Sequence, residues 1–252
     1  MQLETFLIIV TTIYGIIIGS FLNVCIYRIP KNESIIVNRS HCMNCGKQIK
    51  WYDLVPIVSY LVLGGKCRYC KTKLSIQYPL VEFINGLGYA LILISNGVNI
   101  KSILFCLCSS ALLTLSVIDW RTFEIPVAFN IFIGILGIIR LLTDLEHWYV
   151  YVIGFFAVSG FLYLLFLITK GRGIGGGDIK LMAAAGLLIG WKNIILALGI
   201  GCVLGSIIHI ILMKVQNKER VLAFGPYLSL GIYIAMLYGN QIIEWYINTF
   251  IY

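Results

Sequence analysis

YVYVIGFFAVSGFLYLLFLI, running from Tyr149 to Ile168, is a stretch of twenty residues without a charge, followed at once by Thr169-Lys170-Gly171-Arg172. A helix that crosses a hydrocarbon core roughly 30 Å thick needs about 20 apolar residues, so this stretch has the length and composition of one membrane span. Similar apolar runs lie near Phe6 to Tyr27, Tyr78 to Ile94, Ile103 to Ile118 and Val127 to Leu142, and again near Ile179 to Gly190, Ile194 to Met213 and Phe224 to Ile247. The 252 residues are 60% hydrophobic and 12% charged, with a mean hydropathy of +0.92. The expected fold is therefore an all-α polytopic membrane protein of about eight transmembrane helices, with the lipid bilayer as its main solvent and partner. A soluble enzyme on a single anchor is excluded. The Ile179 to Gly190 run, only 12 residues long, is too short to cross alone and is expected to be tilted, re-entrant or shielded by its neighbours.

The formal charge of +8 does not form a nucleic-acid stripe. Nine of the nineteen Lys and Arg residues fall between Arg28 and Lys73, in one polar segment, and the rest sit in short loops between apolar runs. Such clustering reports orientation, because Lys/Arg-rich short loops stay in the cytoplasm. The first run has Glu4 before it and Arg28 after it, the wrong polarity for a cleavable signal peptide. It reads as a retained helix with an outer N-terminus. The loop of residues 28–77 is then cytoplasmic, eight crossings return the C-terminus to the outside, and the inner turns hold Arg121, then Lys170, Arg172 and Lys180, then Lys214, Lys218 and Arg220. The outer turns hold Lys101 and Lys192. Arg140, near an outer end, runs against this pattern and is expected to snorkel to the interface. The domains are read as residues 1–96, holding the first two spans and the loop, and residues 97–252, the membrane-embedded core.

Inside the loop, Cys42-Met-Asn-Cys45 and Cys67-Arg-Tyr-Cys70 form two CxxC pairs separated by 21 residues. Each pair can present two sulfurs to one side of a tetrahedral ion, and Gly46 can relax the first turn, so the four cysteines are expected to hold a structural Zn²⁺. Two disulfides would need an oxidising compartment, against nine surrounding positive charges. So small a loop cannot build much core, and metal binding would supply folding free energy. His41 is read as a solvated loop residue. Cys25, Cys106, Cys108 and Cys202 lie in apolar runs and are read as small buried hydrophobes.

Acidic residues beside apolar spans are costly and so have a reason to be there. Asp119 ends one run in Val117-Ile118-Asp119-Trp120-Arg121, and Asp178 begins another after Gly175-Gly176-Gly177. The topology puts both at the same leaflet. Two carboxylates in one site cannot both ionise easily, and such a pair can hold water between a base and an acid, as in aspartic proteases. Glycines ahead of Asp178 would let an extended backbone approach closely. Helix capping by Asp178, an ion pair of Asp119 with Arg121, and a cation- or proton-coupled transport path are the other readings of these acids.

Taken in order, the motifs resemble those of the type IV prepilin peptidases, the leader peptidase/N-methyltransferases. Gly19-Ser20-Phe21-Leu22-Asn23-Val24 through Pro30 resembles the family's opening motif. Ser40-His41-Cys42, Trp51 to Pro56, Cys67 to Cys70 and Tyr78-Pro79-Leu80-Val81-Glu82 continue the resemblance, as do the GxGD element at Gly175 to Asp178 with Asp119 upstream, and Phe224-Gly225-Pro226-Tyr227. The resemblance implies a bacterial inner-membrane aspartic endopeptidase. It would cut the positively charged leader of type IV prepilin or pseudopilin precursors after glycine, at the cytoplasmic face. Asp119 and Asp178 would be catalytic, with no cofactor for proteolysis. It also implies methylation of the new N-terminal amine by S-adenosylmethionine, with peptidase activity alone as the alternative; Asn23, Glu82 and the cysteine loop are candidates for the methyl-transfer site. One position departs from the family pattern: Val127 follows Ile125-Pro126 where an acid is common, with Glu124 nearby.

Overall fold

A computed structural model describes residues 2–37, 39–216 and 223–250. Lys218 and Arg220, read above as inner-loop charges, lie outside the described residues. Among those described there are no strands, only isolated bridges, and the helices are α1 (Gln2–Arg28), α2 (Val58–Val62), α3 (Gln77–Asn96), α4 (Ile100–Thr122), α5 (Val127–Thr143), α6 (Trp148–Ile168), α7 (Gly176–Ile189), α8 (Trp191–Gln216) and α9 (Gly225–Phe250). The polytopic all-helical reading holds. Five stretches, Gln2–Lys31, Gln77–Asn96, Ile100–Thr122, Leu145–Ile168 and Trp191–Lys214, are long and apolar enough to cross a bilayer, and Val127–Thr143 is a shorter apolar helix.

The side chains are distributed as lipid solvent requires. Phe6, Ile9, Ile13 and Ile17 lie exposed along α1, whereas Asn23, Asn85, Ser110 and Thr114 are buried. Several hydroxyls inside helices are satisfied by their own backbone, as when Thr114 donates to the Ser110 carbonyl at 2.8 Å.

The chain divides into two compact units, Met1–Thr114 and Leu115–Tyr252, with the boundary inside α4. In the first, α1 packs along α3. A Cβ at Gly19 would stand 2.6 Å from the Glu82 Cα, and one at Gly15 would stand 2.9 Å from the Gly86 Cα, so the Gly15-x-x-x-Gly19 spacing is what lets the two backbones meet. Asn85 donates to the Gly15 carbonyl at 2.7 Å and accepts from Ser110 at 2.8 Å. That network ties α1, α3 and the middle of α4 together.

In the second unit, α7 packs against α5, α6, α8 and α9. Its 14 residues give a length of about 21 Å, too short to cross alone. Of the three readings of this run, shielding by neighbours fits best, since Leu181 to Gly186, Leu188 and Ile189 are all buried. Gly154 of α6 and Gly186 of α7 each stand where a Cβ would strike the other's carbonyl, which fixes the close crossing of these helices. Arg140 has a local partner: it donates to Asp144 at 3.2 Å and lies 5.3 Å from the Tyr151 ring centre. Asp144 also accepts from Tyr151 at 2.6 Å and meets the His147 Nδ1 at 3.0 Å; the bonds to Tyr151 and then His147, with the charge of Arg140, hold its carboxyl below the usual carboxylate range.

Candidate functional site

Asp119 and Asp178 both belong to the second unit, and both are buried, at 4% and 8% exposure. Asp119 sits in the last turn of α4, which ends where Phe123 takes a positive φ of 56° and donates its N–H to the Asp119 carbonyl at 2.9 Å. The Asp119 Oδ2 accepts the backbone N–H of Gly225, the first residue of α9, at 2.9 Å. No side chain fits there: a Cβ on Gly225 would stand 2.7 Å from that oxygen.

Asp178 lies in the first turn of α7, behind an N-cap at Gly175. It is therefore not the cap residue, and its Oδ2 turns back to within 3.1 Å of where a Gly175 Cβ would be. The three glycines divide their duties. Gly175 makes room for the Asp178 carboxylate, Gly176 faces open space, and Gly177 lies against Ile125, whose Cβ a side chain would meet at 3.0 Å.

Ile125 is the pivot of the arrangement, since its Cδ1 also lies 3.2 Å from where a Gly225 Cβ would be. One isoleucine thus touches the segment that carries Asp178 and the residue that holds Asp119. Asn130, buried on α5, reaches the Gly177 carbonyl through Nδ2 at a long 3.5 Å. Its Oδ1 has no partner among the described residues. Ile125 and Asn130 escaped the sequence reading because neither carries chemistry alone. Gly225 entered only through the resemblance, although glycine at a helix start is a visible signal. Glu124 is exposed.

The other candidate cluster lies in the first unit. The Sγ atoms of Cys42, Cys45, Cys67 and Cys70 all lie within 4.8 Å of one another, and those of Cys42 and Cys70 are 3.8 Å apart. Zn–S bonds of about 2.3 Å in a tetrahedron place sulfurs about 3.8 Å apart, so the cluster is disposed to hold one metal ion. The two knuckles are built alike: Cys42 donates to the Lys47 carbonyl and Cys67 to the Thr72 carbonyl, both at 2.9 Å. Gly46 takes φ +67° and Lys71, its counterpart, takes φ +59°. Sequence flagged the first of these and not the second. Contact with the Thr72 side chain and backbone lowers the Cys70 thiol to about 5, toward the thiolate form that a metal takes. His41 is exposed, as expected of a solvated loop residue.

Arg68 clamps Asp53 from its Nε at 2.8 Å and its Nη2 at 2.6 Å, which holds the Asp53 carboxyl below the usual range. The clamp ties the Trp51–Leu54 turn to the second knuckle. Asn23 of α1 donates to the Tyr78 carbonyl at 3.1 Å.

Residues 13–96 match the Bacterial Peptidase A24 N-terminal domain, and residues 106–210 match the Type IV leader peptidase family. A protein of Bacillus subtilis named prepilin leader peptidase/N-methyltransferase is 34% identical over 241 residues, which cover 94% of this chain and 96% of that protein. Proteins of the same name from Pseudomonas aeruginosa and Pseudomonas putida are each 30% identical, the first over 96% of this chain and 93% of its own length, the second over 94% and 92%. No solved structure matches the chain. With this agreement along nearly its whole length, the chain belongs to the type IV leader peptidase family.

Proposed function

We propose that the protein is a multi-pass inner-membrane endopeptidase that removes the leader of type IV pilin-like precursors and methylates the N-terminus so exposed. The reading of residues 97–252 as the peptidase core rests on one observation, the meeting of the Asp119 and Asp178 segments at Ile125. In that core one carboxylate takes a proton from water, the water oxygen attacks the scissile carbonyl, and the other carboxylic acid protonates the carbonyl oxygen. Collapse of the tetrahedral intermediate breaks the C–N bond, and the acid and base exchange roles to protonate the leaving amine. The pair titrates as a unit, so neither aspartate is assigned a fixed role. The Gly225 N–H orients Asp119, and Gly176, facing open space, leaves room for an extended substrate backbone.

Residues 1–96 carry the cysteine loop, in which Zn²⁺ is the fitting ion for four clustered sulfurs and serves as structure. S-adenosylmethionine, when bound, supplies an electrophilic methyl group on a sulfonium, and the relatives' names support this second activity. The topology proposed is eight crossings, with the loop and both aspartates on the cytoplasmic side.

Co-expression with a prepilin tests this. Wild type yields a shortened product 14 Da heavier than the bare mature chain, a difference set by one methyl group. Asp119→Asn and Asp178→Asn each lower cleavage on the order of 10³-fold, read by product mass and gel shift, while the protein keeps its melting temperature. Cleavage at wild-type rates in either variant removes the dyad. A mature product without the added mass leaves a peptidase only.

A further inference from the structure

Between its two cysteine pairs, the loop of the first unit turns apolar side chains outward. Val58, Leu61 and Val62 of α2 are each more than half exposed, and their i, i+3, i+4 spacing sets them on one face of the helix. Trp51, 81% exposed, stands in the turn of residues 51–54 that leads to α2 and contacts it. A cluster of large exposed apolar groups marks a surface that meets a partner or a membrane.

Hydrogen bonds decide between the two. Ile57, the residue ahead of α2, donates its N–H to the Glu82 Oε2 at 2.7 Å. Glu82 lies five residues past Gln77, the first residue of α3, which is about 7.5 Å along the helix axis. Just past the other end of α2, the Gly65 carbonyl accepts the N–H of Leu74, three residues before α3, at 2.7 Å. Both ends of α2 are thus fastened beside the first turns of a helix long and apolar enough to cross a bilayer. That depth is the headgroup layer, where an apolar face has lipid to enter.

The charges agree. Residues 50–73 hold Lys50, Lys66, Arg68, Lys71 and Lys73 against a single acid, Asp53, which Arg68 already clamps. Lys50 and Lys66 flank the apolar stretch, and Lys66 faces Lys73 in an antiparallel bridge. An apolar face with a tryptophan and a basic rim has the composition of a helix that lies on anionic lipid.

We propose that α2 and the Trp51–Leu54 turn are an interfacial anchor, whose apolar face enters the bilayer surface and seats the cysteine loop on anionic headgroups. The proposal rests on α3 crossing the membrane and is independent of the peptidase and methyltransferase readings.

Photo-crosslinking of the purified full chain in nanodiscs tests it, with benzoylphenylalanine in place of Val62 and, separately, of Leu87, an exposed residue in the middle of α3. The nanodiscs hold equal parts of phosphatidylcholine and phosphatidylglycerol, and mass spectrometry identifies what each position captures. Both positions capture lipid, and Val62 takes phosphatidylglycerol over phosphatidylcholine by about twofold. Lys50→Glu with Lys66→Glu removes that preference, and Leu61→Glu lowers lipid capture at Val62 by about fivefold. Melting temperature and bound metal verify that each variant folds. Lipid at Leu87 with an intrachain link, a crosslinked dimer or no adduct at Val62 overturns the anchor, because protein or water then covers the face. Equal capture of the two lipids at Val62 overturns the choice of anionic headgroups. No lipid at either position overturns the anchor together with the span it rests on.

Discussion

The cysteine cluster and the aspartate pair put reactive side chains together by opposite means. In the loop of the first unit, helices are short, and the large side chains of Trp51, Leu61 and Val62 are exposed. What order there is comes from sulfurs, turn hydrogen bonds and the Asp53–Arg68 clamp. In the second unit the carboxylates are held by close-packed helices, through glycines that bring backbone to carboxylate. A site of the first kind depends on its ligand, and one of the second kind on the absence of a few methyl groups.

Removing metal should break the comparison most visibly. Chelation abolishes hydrogen-exchange protection across residues 40–75 and leaves α7 protected, because a small loop without a core has little else to hold it. Equal loss in both regions, read by exchange mass spectrometry, would show that the loop does not stand on metal alone. The complementary change is Gly225→Ala, whose methyl displaces Asp119. Cleavage falls about 10²-fold with bound metal unchanged, as small misplacements of catalytic groups do.

Acid sharpens the contrast within the loop. Arg68 depresses the Asp53 carboxyl, so the clamp contributes fully above the ordinary aspartate value of about 3.9 and is lost as pH falls through the lower, folded one. Exchange protection of residues 51–54 should therefore drop in that acid window in the wild type, and Asp53→Asn should remove the dependence. The smallest effect separates the two knuckles. A Cβ on Gly46 would meet nothing within 4 Å, so Gly46→Ala bears only the left-handed backbone cost, weakening the loop by about 1 kcal/mol. Lys71→Gly, at the matching position, relieves that cost and should move the loop's chelator midpoint the other way.

Apolar runs and cysteine spacing were legible because each is a local pattern with one physical meaning: a length of hydrocarbon, a pair of sulfurs on one turn. The acids at Asp119 and Asp178 stood out for the same reason, as charges beside lipid-soluble sequence. Arg140 was the misleading signal, a charge set against the topology. Its partners are Asp144, four residues on, and Tyr151 on the next helix, and only the Asp144 spacing could be read from sequence.

The sequence by itself determined that this chain lives in a membrane, that four cysteines share a loop, and that two aspartates flank spans. The tertiary structure alone decided that Gly225, 106 residues beyond Asp119, grips its carboxylate, that Ile125 joins the two acidic segments, and that Glu82 reaches back to a strained Ile57. Periodicity and composition act over a turn or two of helix. A hydrogen bond between distant residues depends on how closely helices approach, and that is set by packing summed over both surfaces.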